Sequence, residues 1–262
     1  MEWRKVLPVL GVVVGVTAAC TGSLFGDDSI RASGEIVEDA RDLDAFTALE
    51  IEGPVEVVVV TDGTHRVEMR MDRELERRAM FDEGDGRFSL EFPDDMSVEG
   101  PIVAELTVHV ARLDDLDVES TASVTFDQLS GTVVVLDASG ASEVVGGSIV
   151  ADRLDVDVSG ASSLDVDMAV DGLTAADLSG ASRATLTGRT GELALDASGA
   201  SDMAALELDT GTVRLDLSGA SSVRVSSSDA VGGELSGASD LHVRGDAEID
   251  VDTSGASTVV RS

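Results

Sequence analysis

The chain has 262 residues, 51 of them acidic against 18 basic, giving a formal net charge of −33, and it contains one cysteine. So strong a negative field excludes nucleic acid and anionic lipid surfaces as direct partners, and a lone cysteine excludes an internal disulfide. Lys5 is the only lysine, and this arginine-for-lysine, aspartate-rich balance looks like that of a protein from a salt-loving organism.

The first element is an export signal over residues 1–19. Arg4 and Lys5 supply the positive start, Val6 to Val16 a short apolar run, and Thr17-Ala18-Ala19 a small-residue cleavage site. The run is too short for the roughly 20 apolar residues that span a bilayer. Cys20 follows at once, an arrangement that resembles a lipoprotein signal, in which Cys20 is acylated and becomes the new N-terminus. Ordinary secretion with Cys20 as a free thiol is the alternative. Residues 20–43, polar and glycine-containing at their start, are predicted to be a tether that holds the next domain off the membrane.

A domain is predicted over 44–262, with irregular coils over 44–119 and regular ones over 120–262. In the first part, alternating or apolar runs predict strands at Phe46 to Ile51, Val55 to Val60, Val67 to Met71, Arg87 to Phe92 and Ile102 to Val110. Asp72 reads as the cap of a helix from Arg73 to about Phe81, and Gly53-Pro54, Asp62-Gly63 and Gly84-Asp85-Gly86 as turns. All the phenylalanines lie at or before Phe126, so the later core is aliphatic.

The second part is a repeat. Ser-Gly-Ala-Ser occurs seven times, beginning at Ser139, Ser159, Ser179, Ser198, Ser218, Ser236 and Ser254, in steps of 20, 20, 19, 20, 18 and 18 residues. A degenerate copy, Ser120-Thr121-Ala122-Ser123, begins 19 residues before the first. A fixed period of this length is the mark of a solenoid. Before each copy the side chains alternate, as in Leu154-Asp155-Val156-Asp157-Val158, which sends the aliphatics inward and the aspartates to water. A second alternation follows the motif, at Leu164 and Val166 or Leu241 and Val243, and turns such as Asp171-Gly172 come next. Each period therefore reads as two strands and two turns. One period cannot bury its own apolar face, but coils stacked about 4.8 Å apart share a continuous core. The fold predicted is all-β, a single-stranded parallel β-helix of about 20 residues per coil. The strand twist favours a right-handed winding, left-handed coils with 18-residue turns being the alternative. Within the motif, glycine is expected to take a positive φ at the corner, alanine to point inward where the walls converge, and the serines to stack along the axis.

Three stretches together resemble the putative adhesin, or head GIN domain, family of exported bacterial and archaeal proteins. They are Phe46-Thr47-Ala48-Leu49-Glu50-Ile51-Glu52-Gly53, the strand Ile102 to Val110 with Leu113 and Leu116 behind it, and the Leu-Ser-Gly-Ala-Ser copies at Leu178, Leu217 and Leu235. The similarity spans about 46–262, although Ala111-Arg112 stand where proline often precedes the first of those leucines. It implies a β-helical surface domain and brings no catalytic residues with it.

The residues themselves point away from an enzyme. A serine nucleophile needs a base, and the three histidines, His65, His109 and His242, are not beside the motifs in sequence. Near-identical serines in every coil read as a structural ladder. Cysteine-based metal sites and phosphate-binding loops are missing, and no cofactor is expected beyond loosely bound cations. The function predicted is a non-enzymatic cell-surface lipoprotein, adhesin-like or an envelope scaffold, acting by contact with a surface glycan or protein. A polysaccharide-binding or polysaccharide-cleaving β-helix is the second reading, and an accessory protein of envelope-stress signalling the third.

Two further features bear on partners. Two residues before each motif stands an acid: Asp137, Asp157, Asp177, Asp196, Asp216, Glu234 and Asp252. Alternation places these on one outward face, a candidate cation ladder in which diffuse monovalent salt or bridging calcium would offset the repulsion. The run Thr258-Val259-Val260-Arg261 has no evident polar cap and is a candidate for end-to-end self-association.

Overall fold

The computed structural model describes residues 29–93 and 96–261. The chain enters through β1 (Ser29–Arg31) and β2 (Ile36–Asp42), then lays down β3 (Ala48–Glu52), β4 (Glu56–Thr61), β5 (Arg66–Asp72) and the short helix α1 (Arg73–Glu76). β6 (Met80–Gly84), β7 (Arg87–Glu91), β8 (Ser97–Glu99), β9 (Ala104–Val110) and β10 (Asp115–Glu119) follow. Four long bent strands come next: β11 (Ser123–Ala138), β12 (Glu143–Val158), β13 (Ser163–Leu178) and β14 (Arg183–Ala197). The winding ends with β15 (Asp202–Ala205), β16 (Leu208–Leu217), β17 (Ser222–Ser226), β18 (Ala230–Leu235), β19 (Asp240–Arg244), β20 (Glu248–Thr253) and β21 (Thr258–Arg261).

These strands wind a β-solenoid of about 7 turns at about 20 residues per coil. The leading wall, which runs into each corner, stacks β7, β3, β10, the ends of β11 to β14 and of β16, then β18 and β20, all in parallel. The trailing wall, which leaves each corner, stacks β9, β4, the starts of β11 to β14, β15, β17, β19 and β21. A narrower third side joins them through the middles of the long strands, where buried Leu129, Ile149 and Met168 stack in register. The two strands and two turns expected per period are therefore, in these coils, one strand that bends without breaking its ladder. Neighbouring coils supply the missing hydrogen bonds at each bend, so no separate turn is needed.

The first coils are not wound in chain order. β3 and β4 are laid down first, β7 and β9 are then added on one side of them, and β10 and β11 on the other. At that end β5 pairs antiparallel with β9, β2 with β5, and β6 with β7. β2 falls within the segment expected to be a tether: it pairs with β5, Val37 packs against the core and Ala40 is buried. The ordered domain thus begins before residue 44. The helix is shorter than expected, although Asp72 caps it by accepting from the backbone N–H of Glu74 at 2.9 Å. Met80 and Phe81 belong to β6, because pairing with β7 satisfies their backbone better than one more helical turn.

The core is continuous, from a phenylalanine group near the antiparallel end to aliphatic rows beyond it. Phe88 stands 5.8 Å from Phe46 and 6.3 Å from Phe81, ring to ring. Buried Phe126 is the last aromatic ring, and the residue stacked beside it in the next coil is Gly146.

Candidate functional site

Each Ser-Gly-Ala-Ser forms the corner between the two main walls. Its glycine has a positive φ, from 71° to 77° across the seven copies, while its alanine does not, the φ pattern of a type II′ turn. The alanine N–H donates to the glycine carbonyl of the preceding coil at 2.7 Å, as from Ala200 to Gly180. The side chains do not point as expected. Ala141, Ala161, Ala181, Ala200, Ala220 and Ala238 are exposed, and the serine after each of them is buried. The two central residues of a tight turn protrude, and the inward phase of the trailing wall starts at the fourth residue.

That fourth serine is occupied. Ser201, Ser221 and Ser239 donate their hydroxyls to the carbonyls of Ser198, Ser218 and Ser236 at 2.6, 2.8 and 2.9 Å, closing the turn from inside. Ser182 also donates to Ser201 across one coil at 3.3 Å. The degenerate copy is offset by one from its expected alignment. Ser120, with φ 64°, stands in the glycine position and Ala122 in the buried one, while Gly53 and Val55 make the equivalent corner of the β3–β4 coil.

The predicted acidic column is in register on the leading wall: Asp137, Asp157, Asp177, Asp196, Asp216, Glu234 and Asp252 pair in order. The structure extends it upstream through Asp117 and Glu50. Sequence reasoning missed both because it misaligned the degenerate corner. The signal was there in Gly53 and Ser120, each three residues after the acid. Burial, then Glu119, Asp137 and Glu50, push the Asp117 carboxyl up to about 6, against a smaller opposing pull from Arg87. Burial and the acids on the neighbouring coils also raise Asp137 and Asp196. The arginines of this wall pair with none of the seven acids of the repeat, and only Arg87 reaches the column, at Glu50. Arg87 bonds Glu50 at 2.7 Å and Asp115 at 3.4 Å, Arg153 bonds Asp155 at 2.6 Å, and Arg214 pairs with Glu192.

Over the middle of the column lies a shallow open depression of about 270 Å³, bordered by Asp137, Arg153, Asp155, Asp157 and Asp177 and floored in part by Ala175. Among the described residues no three His, Cys, Asp or Glu side chains converge as a metal-binding set. What the wall presents is a row of carboxylates, one per coil, which concentrates cations along its length. Of the histidines, His109 lies 2.7 Å from Asp62, far in sequence from the repeated corners. Cys20 lies outside the described residues. Thr258, Val259, Val260 and Arg261 form β21, the last strand of the trailing wall.

Parallel coils around an aliphatic core, closed at one end by antiparallel strands, define a capped β-solenoid. The chain belongs to the family described as "Putative auto-transporter adhesin, head GIN domain", which matches residues 45–247. The family's description is that of an adhesin-like, exported surface protein. Solved structures share the fold at low identity. A putative adhesin from Parabacteroides distasonis is 17% identical, with a TM-score of 0.79 over 90% of this chain and 100% of that one. A putative adhesin from Parabacteroides merdae is 16% identical, with a TM-score of 0.77 over 90% and 99%. A putative lipid binding protein from Parabacteroides distasonis is 11% identical, with a TM-score of 0.78 over 89% and 99%. No curated protein matches the chain.

Proposed function

We propose that this protein is a non-enzymatic surface module that acts by contact, tethered to the extracytoplasmic face of the membrane through an acylated Cys20. The observation that carries the reading is the leading wall, where like side chains recur on successive coils in straight rows. A surface that repeats along its axis suits a ligand that also repeats, such as a surface glycan, because each added unit adds the same contact. The family points the same way. The test is binding of the full chain to a glycan array in molar salt, followed by analysis for released product. Binding without product supports a contact function; product release ends the non-enzymatic reading.

One observation favours a polysaccharide-cleaving alternative: Asp117, raised to about 6, stands in register between Glu50 and Asp137. Glycoside hydrolysis uses one protonated and one ionised carboxyl. Loss of product release in Asp117→Asn, with binding kept, would establish it.

A further inference from the structure

We infer that residues 29–34 form a strap that leaves the domain as one unit, with the buried carboxylate of Asp72 as its latch. β1 stands apart from the solenoid. Among the described residues it pairs only with β8, in a two-stranded parallel sheet that joins Ser29 to Ser97, Ile30 to Val98 and Arg31 to Glu99. The other described strands make one nineteen-stranded sheet. So short a pair has little of its own to hold it. Ile30 is the one buried residue of β1, and the Arg31–Glu99 ion pair at 2.6 Å has side chains 80% and 49% exposed, where water screens it.

What ties the strap down is Asp72, at the junction of β5 and α1 and 1% exposed. Its carboxylate accepts from the N–H of Ser33 at 3.2 Å, the hydroxyl of Ser33 at 3.0 Å, the N–H of Gly34 at 3.0 Å and, as the helix cap, the N–H of Glu74. Three of these four bonds go to the strap, and the charge strengthens each of them. A carboxylate buried this deeply cannot give up part of the set cheaply, because each lost donor must be replaced by water. Release is therefore all or none. The hinge is Gly34: its φ is 74°, and nothing lies within 4 Å of where a Cβ would stand. Beyond it the chain is fixed, because Glu35 bonds Arg73 through both backbone and side chain, and the seven residues of β2 pair with β5. The chain before residue 29 connects to the coils only through the strap, so a pull along it loads β1 before any coil. For the tether proposed above, on which this use of the strap rests, release adds about 20 Å of reach, at roughly 3.3–3.6 Å per freed residue, and leaves the coils wound.

The test is native-state hydrogen exchange, read by mass spectrometry on the full chain in detergent at fixed pH and rising denaturant. Segments 29–34 and 97–99 are expected to exchange through an opening that exposes little surface, at rates nearly independent of denaturant, while β12 to β14 exchange only through global unfolding. Asp72→Asn keeps the size of the side chain and removes its charge. It is expected to speed both segments together, on the order of tenfold or more, and to leave β12 to β14 as they were. None of the four bonds to Asp72 comes from β8, so acceleration there reports the strap leaving rather than the loss of a bond. Ser33→Ala removes one donor on the strap side alone and is expected to speed the same two segments by a smaller factor, a readout that remains if Asp72→Asn does not fold. These rates do not depend on the tether, so the strap and the anchored role fail separately. Any one of three results overturns the inference: wild-type segments 29–34 and 97–99 that exchange only with the whole domain, acceleration of 29–34 without 97–99, or equal acceleration in β12 to β14.

Discussion

At the scale of single residues, the corner assigns each letter of its motif a separate task, and substitutions should separate them. A Cβ on Gly199 would meet the Gly180 carbonyl oxygen at 2.4 Å, on a backbone with φ 76°. Gly199→Ala is expected to cost about 1–3 kcal/mol for the backbone conformation alone, with the clash in addition; denaturant unfolding would measure it. Ala200→Leu is expected to leave the midpoint almost unchanged, because Ala200 is exposed. The glycine's role was legible in the sequence, since a recurring glycine between strands marks a special φ. The outward direction of the alanine was not, because alternation is counted along a strand and restarts at the corner. Asp117 supports a second prediction. Its folded pKa of about 6 lies above the ordinary 3.8, so the stability tied to its protonated form is complete below about 3.8 and is lost as pH rises through about 6. Asp117→Asn is therefore expected to stabilise the protein at pH 7 by on the order of 1 kcal/mol after solvent screening, and by much less at acidic pH. Midpoints of the two proteins across that range that stayed parallel would show that the carboxyl is not perturbed.

Between elements, stability depends on the fit of one coil to the next, and the junction of β11 and β12 is the sharpest case. The column Val59, Phe126, Gly146, Val166, Leu186 runs through successive coils of the trailing wall. A Cβ on Gly146 would fall 2.0 Å from the Phe126 ring, so the glycine exists to make room for the phenylalanine. Gly146→Val alone is expected to overpack the site by about 1–3 kcal/mol. Adding Phe126→Val should recover most of that loss, because the pair then repeats the valine found at Val59 and Val166; a double-mutant cycle of unfolding free energies measures the coupling. Independent effects of the two changes would contradict the stacking. Period-two alternation made the walls legible, together with which of their residues face inward. It did not reveal the antiparallel end, because alternation carries no strand direction: Val67, Met69 and Met71 of β5 read the same either way. β2 escaped notice because Glu38-Asp39-Ala40-Arg41-Asp42 looks like a solvated run, and only its pairing with β5 makes it a strand.

For the whole molecule, the question is how a chain of net charge −33 holds seven like charges of its repeat in one row. Adjacent coils lie about 4.8 Å apart, and two unit charges at that distance repel by about 0.9 kcal/mol even in bulk water. The six neighbouring pairs of the row then sum to roughly 5 kcal/mol. That is comparable with the roughly 5–15 kcal/mol net stability of a whole domain. The ion pairs of the leading wall go to Glu50, Asp115, Asp155 and Glu192 and leave this repulsion standing. Asp137 and Asp196 are raised by burial first and by the neighbouring acids second. Diffuse salt relieves the repulsion, since near 1 M the screening length falls to about 3 Å, shorter than one coil spacing. Calcium would have to gather six or more oxygens, and the described acids do not converge as a metal set. Thermal unfolding should therefore shift upward steadily with potassium or sodium chloride into the molar range. The readout is circular dichroism, because the chain has no tyrosine and its one tryptophan, Trp3, lies outside the described residues. Replacing Asp196 and Asp216 by asparagine should raise the midpoint at low salt and flatten its rise with added salt, because neutralising two adjacent members removes three of the six neighbouring repulsions. Full stabilisation by micromolar calcium at low ionic strength, abolished by those same substitutions, would instead make the row a metal ladder.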